Sequence, residues 1–332
     1  MVKPELRQNK ITNNWTLYAP HRSTRPMDHK KKKNKQKYKL PKYEKECPFC
    51  PGNEKMLPSV ISEIRNKNSW FTRIVSNKYP VLLPEEKQKK FNDVTFPCML
   101  TSGNQEVIVE HPMHNKNISS FSTCEFENLL KTYRKRFDEL IRIKSNKFVF
   151  VFRNHGEGAG ASRIHPHSQI VSLGFVPAYI QYRENNSKKF FHKHGRSIYK
   201  MLLEREKKEK KRMLFENDAF LAFVPYAAEV KCELWILPKK QRANFGKITN
   251  KEIILLAKIL KKTLERLHEK LKNPDYNLVL YSASKHNIKA SYLCWHIQIR
   301  PKLSRPAGFE IVSGMNVNPS LPEIDAKFLR NH

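Results

Sequence analysis

The feature that most limits what this chain can fold into is an internal repeat, in which two stretches carry the same signals in the same order. Each opens with a strand-like run ending at a proline, Glu106–Glu110 before Pro112 and Glu233–Leu237 before Pro238. A helix with a capping-box start follows. Ser122 and Glu125 begin the first, with Leu129, Leu130, Tyr133, Phe137, Leu140 and Ile141 at helical spacing. Thr249 and Glu252 begin the second, with Leu256, Ile259, Leu260, Leu264, Leu267 and Leu271 before Pro274 stops it. Two strand-like runs close each copy, Phe148–Phe152 with Gln169–Leu173 and Asn277–Tyr281 with Trp295–Ile299. The separations agree, 55 residues from Pro112 to His167 and 58 from Pro238 to His296. This predicts an α+β chain of two related half-domains, 1–180 and 214–332, each an antiparallel sheet packed by a helix. A charged connector, 181–213, joins them and is expected to be partly helical near Tyr199–Arg212.

The last strand of each copy carries His-x-Gln: His165-Pro166-His167-Ser168-Gln169 in the first, Cys294-Trp295-His296-Ile297-Gln298 in the second. Residues two apart on a strand share a face at about 6 to 7 Å, so His165, His167 and Gln169 are expected to line one side. Pro166 cannot donate to a ladder, which suggests an edge or an exposed strand end. Just upstream, His155–Ser162 (HGEGAGAS) has Gly156, Gly158 and Gly160 at alternate positions. Such a loop either brings backbone N–H groups up to phosphate oxygens or simply connects two strands. A neutral imidazole, with an ordinary pKa of about 6.5, is a competent nucleophile toward a phosphate at physiological pH. Its product, a phosphoramidate, splits a transfer between two phosphorylated substrates into two displacements with ping-pong kinetics.

Of the six cysteines, only Cys47 and Cys50 are close, so the chain has no disulfide framework of the secreted kind. Cys47-Pro-Phe-Cys50 suits a structural zinc knuckle, with a redox pair as the competing reading; no thioredoxin-like strand and helix frame it. The 332 residues include 63 basic and 31 acidic ones, a net charge of +32 that attracts polyanions and keeps a basic zinc-containing nucleic-acid-binding protein among the alternatives. Against that, there is no second CxxC, recognition-helix finger or RNA-binding aromatic signature. The blocks His29–Lys39 and Lys207–Arg212 read as solvated loop or helix surface. No stretch approaches the roughly 18 apolar residues of a membrane span, and Met1–Asn14 lacks a signal-peptide core, so the expectation is a cytoplasmic protein.

The run Gly158–Pro177 (GAGASRIHPHSQIVSLGFVP) resembles the active-site motif of galactose-1-phosphate uridylyltransferases, a branch of the histidine triad superfamily. Trp15–Pro26 (WTLYAPHRSTRP), Cys47–Asn53 (CPFCPGN), Asn77–Leu82 and Gly308–Glu310 extend the resemblance over nearly the whole chain. It implies histidine-triad-like half-domains with His167 as the nucleophile, and one zinc held by Cys47, Cys50, His114 and His165, with His111 as a possible substitute for His114. Gln169 then bonds the transferred phosphate; histidine triad hydrolases have a titrating histidine there, and glutamine cannot titrate, which favours transfer over hydrolysis. Arg22 and Arg25 match phosphate-contacting arginines, and Asn154 and Ser162 match positions facing the substrate phosphates. The second copy has Cys294 for the first histidine and Lys240 where His114 stands, so His296 is expected to be structural, with no second metal. The implied reaction moves UMP from UDP-glucose to galactose 1-phosphate, the partners being a nucleotide sugar and a sugar 1-phosphate, with a homodimer as the implied assembly. Asn77-Lys78-Tyr79-Pro80 instead matches the Asn-x-Tyr-Pro form of relatives that handle adenine nucleotides, which makes an ADP-sugar phosphorylase or adenylyltransferase the alternative.

Overall fold

A computed structural model describes residues 4–24, 40–65, 67, 69–84, 89–91 and 94–331. The N-terminal part supplies β1 (Glu5–Gln8), β2 (Trp15–Tyr18), β3 (Val60–Arg65), β4 (Trp70–Ser76), β5 (Lys89–Phe91), β6 (Cys98–Leu100) and β7 (Gly103–Val109). Then come α1 (Thr123–Arg142), β8 (Phe148–His155), β9 (His167–Leu173), α2 (Ala178–His194) and α3 (Ile198–Glu209). The C-terminal part has β10 (Met213–Glu216), β11 (Phe220–Phe223), β12 (Leu234–Pro238), α4 (Asn250–Leu271), β13 (Tyr276–Tyr281) and β14 (His296–Pro301). It ends with α5 (Gly308–Ser313), β15 (Asn316–Asn318) and α6 (Pro322–Arg330).

The repeat is visible in the sheet. Ten strands run in the order β10-β11-β12-β14-β13-β8-β9-β7-β4-β3, so each copy has its long hairpin pair innermost and its proline-terminated strand next outward. The copies meet edge to edge where β13 pairs antiparallel with β8, Leu278 opposite Arg153 and Leu280 opposite Val151. Joining the halves here covers one edge of each and leaves β10 and β3 at the rims. α1 and α4 pack against each other on one face, and a single core runs under both, from Phe126, Leu130 and Phe137 to Leu256, Leu260 and Leu264. Both capping boxes form as the sequence predicts: Ser122 Oγ accepts from Glu125 N–H (3.2 Å) and Thr249 Oγ1 from Glu252 N–H (3.3 Å), with each glutamate reaching back to its cap.

The other face is covered unequally, and that positions the site. α2 and α3 occupy most of the expected connector and pack with Ile11 over the second half's strands, burying Ile198, Tyr199, Leu203, Phe223 and Trp235. β1 pairs with β2 and β2 with β15, tying the N-terminal segment to the second half. Helix is therefore more extensive than the sequence predicts. Arg212 also departs from the solvated reading of its basic block: it is 3% exposed and ion-paired with Glu206, Glu209 and Glu323. The other block, His29–Lys39, lies outside the described residues. Among the described residues, no helix is long and apolar enough to cross a membrane.

Candidate active site and metal centre

β9 lies between β8 and β7, with Val109 opposite His167 and Val107 opposite Gln169. Alternate residues of β9 face opposite ways. Ser168 and Ile170 turn to α1, Ser168 Oγ accepting from Tyr133 Oη at 2.8 Å, while Val171 and Leu173 join Phe148 and Ile180 on the other face. His167 and Gln169 belong to this second face. Pro166 marks a strand end and not an edge: it precedes an interior strand, needs no ladder N–H there, and its carbonyl accepts from Glu110 N–H at 3.0 Å. His165 stands just before the strand begins; its ring and that of His167 lie 5.9 and 5.6 Å from that of Phe49, both border one cavity, and His165 also enters a buried cysteine and histidine group.

His167 is 7% exposed, and its Nδ1 lies 2.9 Å from the His165 carbonyl. A carbonyl accepts only, so Nδ1 carries the proton and Nε2 keeps its lone pair. Burial, the largest influence, lowers the pKa of His167; the Arg153 and Arg163 charges add to this, while the bond to the His165 carbonyl and the Glu110 carboxylate oppose it. The ring is neutral and its tautomer is set, as a nucleophile requires. His167 borders a cavity of about 630 Å³ that is also lined by Asn154, Ser162, Arg163, Lys116 and Asp275. Beneath it, Arg153 and Glu110 form a buried ion pair at 3.0 Å, and Arg153 Nη1 donates to His155 Nδ1 at 3.0 Å.

Gln169 Oε1 accepts from Gln105 Nε2 at 2.6 Å and lies 3.5 Å from Asn77 Nδ2. With its oxygen engaged by amide donors, its own NH2 group is left to donate. Asn154 borders the cavity, but its amide is used within the protein, accepting from Asn277 Nδ2 (2.9 Å) and donating to the Gly160 carbonyl (3.3 Å). Ser162 is exposed at the cavity wall. Arg22 is exposed on a short 3-10 turn and does not line the cavity, and Arg25 lies outside the described residues.

The glycine loop does something other than cradle phosphate. Gly156 (φ +82°) and Gly158 sit so close to Asp275 that a Cβ on either would fall 1.9 and 2.7 Å from its carboxylate oxygens. Gly158 N–H donates to Asp275 at 2.8 Å, and the N–H groups of Ala159, Gly160 and Ala161 bond within the loop. The donors from Gly158 to Ala161 are therefore occupied. The glycines permit close docking of the loop on the second half.

Cys47, Cys50, His114 and His165 are buried, and their ligand atoms all lie within 4.8 Å of one another. Cys47 Sγ and Cys50 Sγ are each 3.7 Å from His165 Nδ1, and Cys50 Sγ is 3.7 Å from His114 Nδ1. A tetrahedral ion with zinc–ligand bonds of about 2.0 to 2.3 Å sets S···N separations of about 3.5 Å, so the donor set and spacing fit a metal ion. His165 Nε2–H donates to the His111 carbonyl at 2.7 Å, which leaves Nδ1 as the ligating nitrogen. His111 itself points to Glu125, at 2.8 Å, and is not in the group. Asn53 pins the Cys47–Cys50 turn by donating to the carbonyls of Glu44, Lys45 and Cys47.

The second half keeps the outline and closes it. His296 Nδ1 lies 3.1 Å from the Cys294 carbonyl, repeating the His167 arrangement, but its Nε2 accepts from the buried Arg183 guanidinium at 3.0 Å. Trp235 and Tyr281 stack on the ring, which is 1% exposed. Its lone pair is taken. The sequence reading missed Gln105, Asn277, Asp275 and Arg163; the first three act through contacts between distant segments, whereas Arg163 lies two residues before His165 and was open to notice.

The repeated halves, each an antiparallel sheet backed by a long helix with a histidine opening one strand, are an architecture shared with enzymes of the nucleotidyltransferase or phosphorylase type, the class to which the chain's relatives assign it. Models of the N-terminal and C-terminal domains of galactose-1-phosphate uridyl transferase match residues 1–177 and 181–319. The chain belongs to the galactose-1-phosphate uridylyltransferase family. It is 30% identical to an ADP-glucose phosphorylase of Arabidopsis thaliana, over 98% of this chain and 92% of that one. A galactose-1-phosphate uridylyltransferase of Thermotoga maritima is 26% identical over 98% of both chains. The crystal structure of an Arabidopsis thaliana ADP-glucose phosphorylase with bound ADP-glucose superposes with a TM-score of 0.84 at 28% identity, covering 99% of each chain.

Proposed function

We propose that this chain transfers a nucleotidyl group from a nucleotide sugar to a phosphate acceptor through a covalent nucleotidyl-His167, with an ADP-sugar as donor and inorganic phosphate as acceptor. The observation that carries the reading is the His167 Nδ1 to His165 carbonyl bond, which leaves Nε2 as the one available lone pair of a neutral ring beside the cavity. Nε2 attacks the α-phosphorus and forms a P–N bond, the P–O bond to the sugar phosphate breaks, and sugar 1-phosphate departs. In the second displacement a phosphate oxygen attacks the same phosphorus, the P–N bond breaks and its electron pair returns to Nε2. The proton stays on Nδ1, donated to the His165 carbonyl, throughout. Gln169, through its NH2 group, holds a non-bridging oxygen and cannot pass a proton to water. The metal group, proposed to hold one zinc, has no open position and serves to fix the chain on either side of Pro166.

Adenine is favoured over uridine by the Asn77-Lys78-Tyr79-Pro80 run and by full-length similarity to an ADP-glucose phosphorylase. The second reading, uridylyl transfer from UDP-glucose to galactose 1-phosphate, is supported by the uridylyltransferase relatives and uses the same His167 chemistry. Intact-protein mass spectrometry after mixing with ADP-glucose or UDP-glucose, without acceptor, separates them. We expect an AMP adduct from ADP-glucose that inorganic phosphate discharges as ADP. A UMP adduct alone selects the second reading, and no adduct from either donor rejects the covalent mechanism.

A further inference from the structure

We infer that Arg163 is the anion anchor of this site: its guanidinium holds the phosphate group that leaves the donor and the one that later attacks the nucleotidyl-histidine. The inference rests on the nucleotidyl-transfer reading above and names the residue that gives that site its acceptor. The argument starts from a shortage. A phosphate acceptor must approach a phosphorus that already carries negative oxygens, so it needs a positive partner. The glycine loop does not provide one, since its N–H groups from Gly158 to Ala161 are spent on Asp275 and on the loop itself. Asn154, Ser162 and Gln169 are neutral.

Among the described residues, three cationic side chains besides the histidines line the cavity: Lys116, Arg153 and Arg163. Arg153 is neutralised by Glu110 in a pair whose side chains are 4% and 0% exposed. Lys116 lies 3.5 Å from Glu125, which is also held by His111. Arg163 is exposed and has no hydrogen bond or ion pair among the described residues. Its chain segment is fixed at both ends, by the glycine turn docked on Asp275 and by His165 in the metal group. It stands four residues before His167. Asp275 and Glu157 also line the cavity; the first is engaged by Gly158 N–H, and the second lies within the docked turn. A planar guanidinium with several donors suits a phosphate dianion and discriminates against water, which carries no charge to hold.

In the step concerned, one oxygen of inorganic phosphate forms a P–O bond to the nucleotidyl phosphorus as the P–N bond to His167 breaks, and the proton of the incoming phosphate is released to water. Arg163 remains protonated and touches only the acceptor's non-attacking oxygens. The test uses the full chain with Arg163→Ala, Arg163→Gln and Arg163→Lys. Each variant is loaded with ADP-glucose (or UDP-glucose, whichever loads the wild type), and its discharge is followed by mass against inorganic phosphate concentration and in buffer alone. The expected result is that Arg163→Ala and Arg163→Gln still load but need at least about tenfold more phosphate for half-maximal discharge, that Arg163→Lys recovers part of the loss, and that discharge by water is unchanged. Half-saturation within twofold of wild type in Arg163→Ala or Arg163→Gln overturns the inference while leaving the covalent reading intact. Failure of the wild type to load with either donor removes the reading of the site and the inference with it.

Discussion

At His167 the chemistry depends on which ring nitrogen is free, and a single backbone carbonyl decides it. Replacing His167 by alanine removes the attacking atom without touching Cys47, Cys50, His114 or His165. We expect His167→Ala to lose at least about a thousandfold in turnover and all adduct formation, with unchanged metal content and an unchanged circular dichroism spectrum. Retention of more than a few per cent of wild-type turnover would falsify the nucleophile assignment. Gln169→His makes a complementary prediction. A titrating ring at that position can pass a proton to and from water, so hydrolysis of the loaded enzyme should rise relative to discharge by phosphate; an unchanged ratio removes the argument that glutamine protects the intermediate. The two positions were legible in the sequence because strand alternation puts them on one face. The glycine loop leaves two readings open in the sequence, because a GxGxG run reads alike whether it receives a phosphate or joins two strands, and the Gly158 N–H bond to Asp275 at 2.8 Å has no local signature.

The element that presents His167, the proposed nucleophile, is the entry to β9, which is held from three sides. Glu110 N–H bonds the Pro166 carbonyl, the metal group takes the His165 side chain, and the ring of Phe49, one residue inside the cysteine turn, lies 5.6 Å from that of His167. Losing one ligand loosens the others, since the turn, the HPH strand and His114 converge on this group. Cys47→Ser and Cys50→Ser should therefore lose zinc from one ion per chain to near none, with a lower unfolding temperature and a turnover that falls further than stability alone explains. Elemental analysis together with calorimetry decides it. Two ions in the wild type, or none, would each contradict the single Cys2His2 centre. Elements with local signatures were the most legible: both capping boxes and the proline-terminated strands stand where the repeat predicts them. α2 and the N-terminal part of α3 were less so, because α2 opens on Pro177 without a side-chain cap and buries only Ile180, Arg183, Glu184 and Ser187, too few apolar residues for a helical stripe.

Over the whole molecule, the halves form one sheet, and the seam between β8 and β13 lies beside the glycine loop. Sequence repetition predicts two similar units, but not that they share an edge, because backbone pairing between them leaves no mark on side-chain pattern. Two histidines near this junction, His155 half-buried and His296 buried, carry a prediction about acid stability. Burial, the largest influence on each, pushes the pKa of His155 down to about 4, with the Arg153 charge adding to it, and that of His296 down to about 3, with Arg183 adding to it. In both rings each nitrogen already has a partner that suits the neutral form: Arg153 donates to His155 and Arg183 to His296, and a proton on either acceptor nitrogen would face a guanidinium. The unfolded chain, with histidines near the ordinary 6.5, binds protons that the folded chain refuses. A depressed folded pKa gives stability that is fully present above about pH 6.5 and is lost as pH falls toward the folded value. The loss approaches about 1.4 kcal/mol per pH unit for each group, continuing to about pH 4 for His155 and pH 3 for His296. His296→Asn keeps an acceptor for Arg183 and removes one titration, so its unfolding free energy from urea titrations at pH 7.5, 6.5 and 5.5 should fall less steeply than the wild type's. The metal centre is common to both proteins and cancels in the comparison. Parallel pH dependences in the two would show that His296 already takes up its proton in the folded state, and that the Arg183 guanidinium does not hold its lone pair.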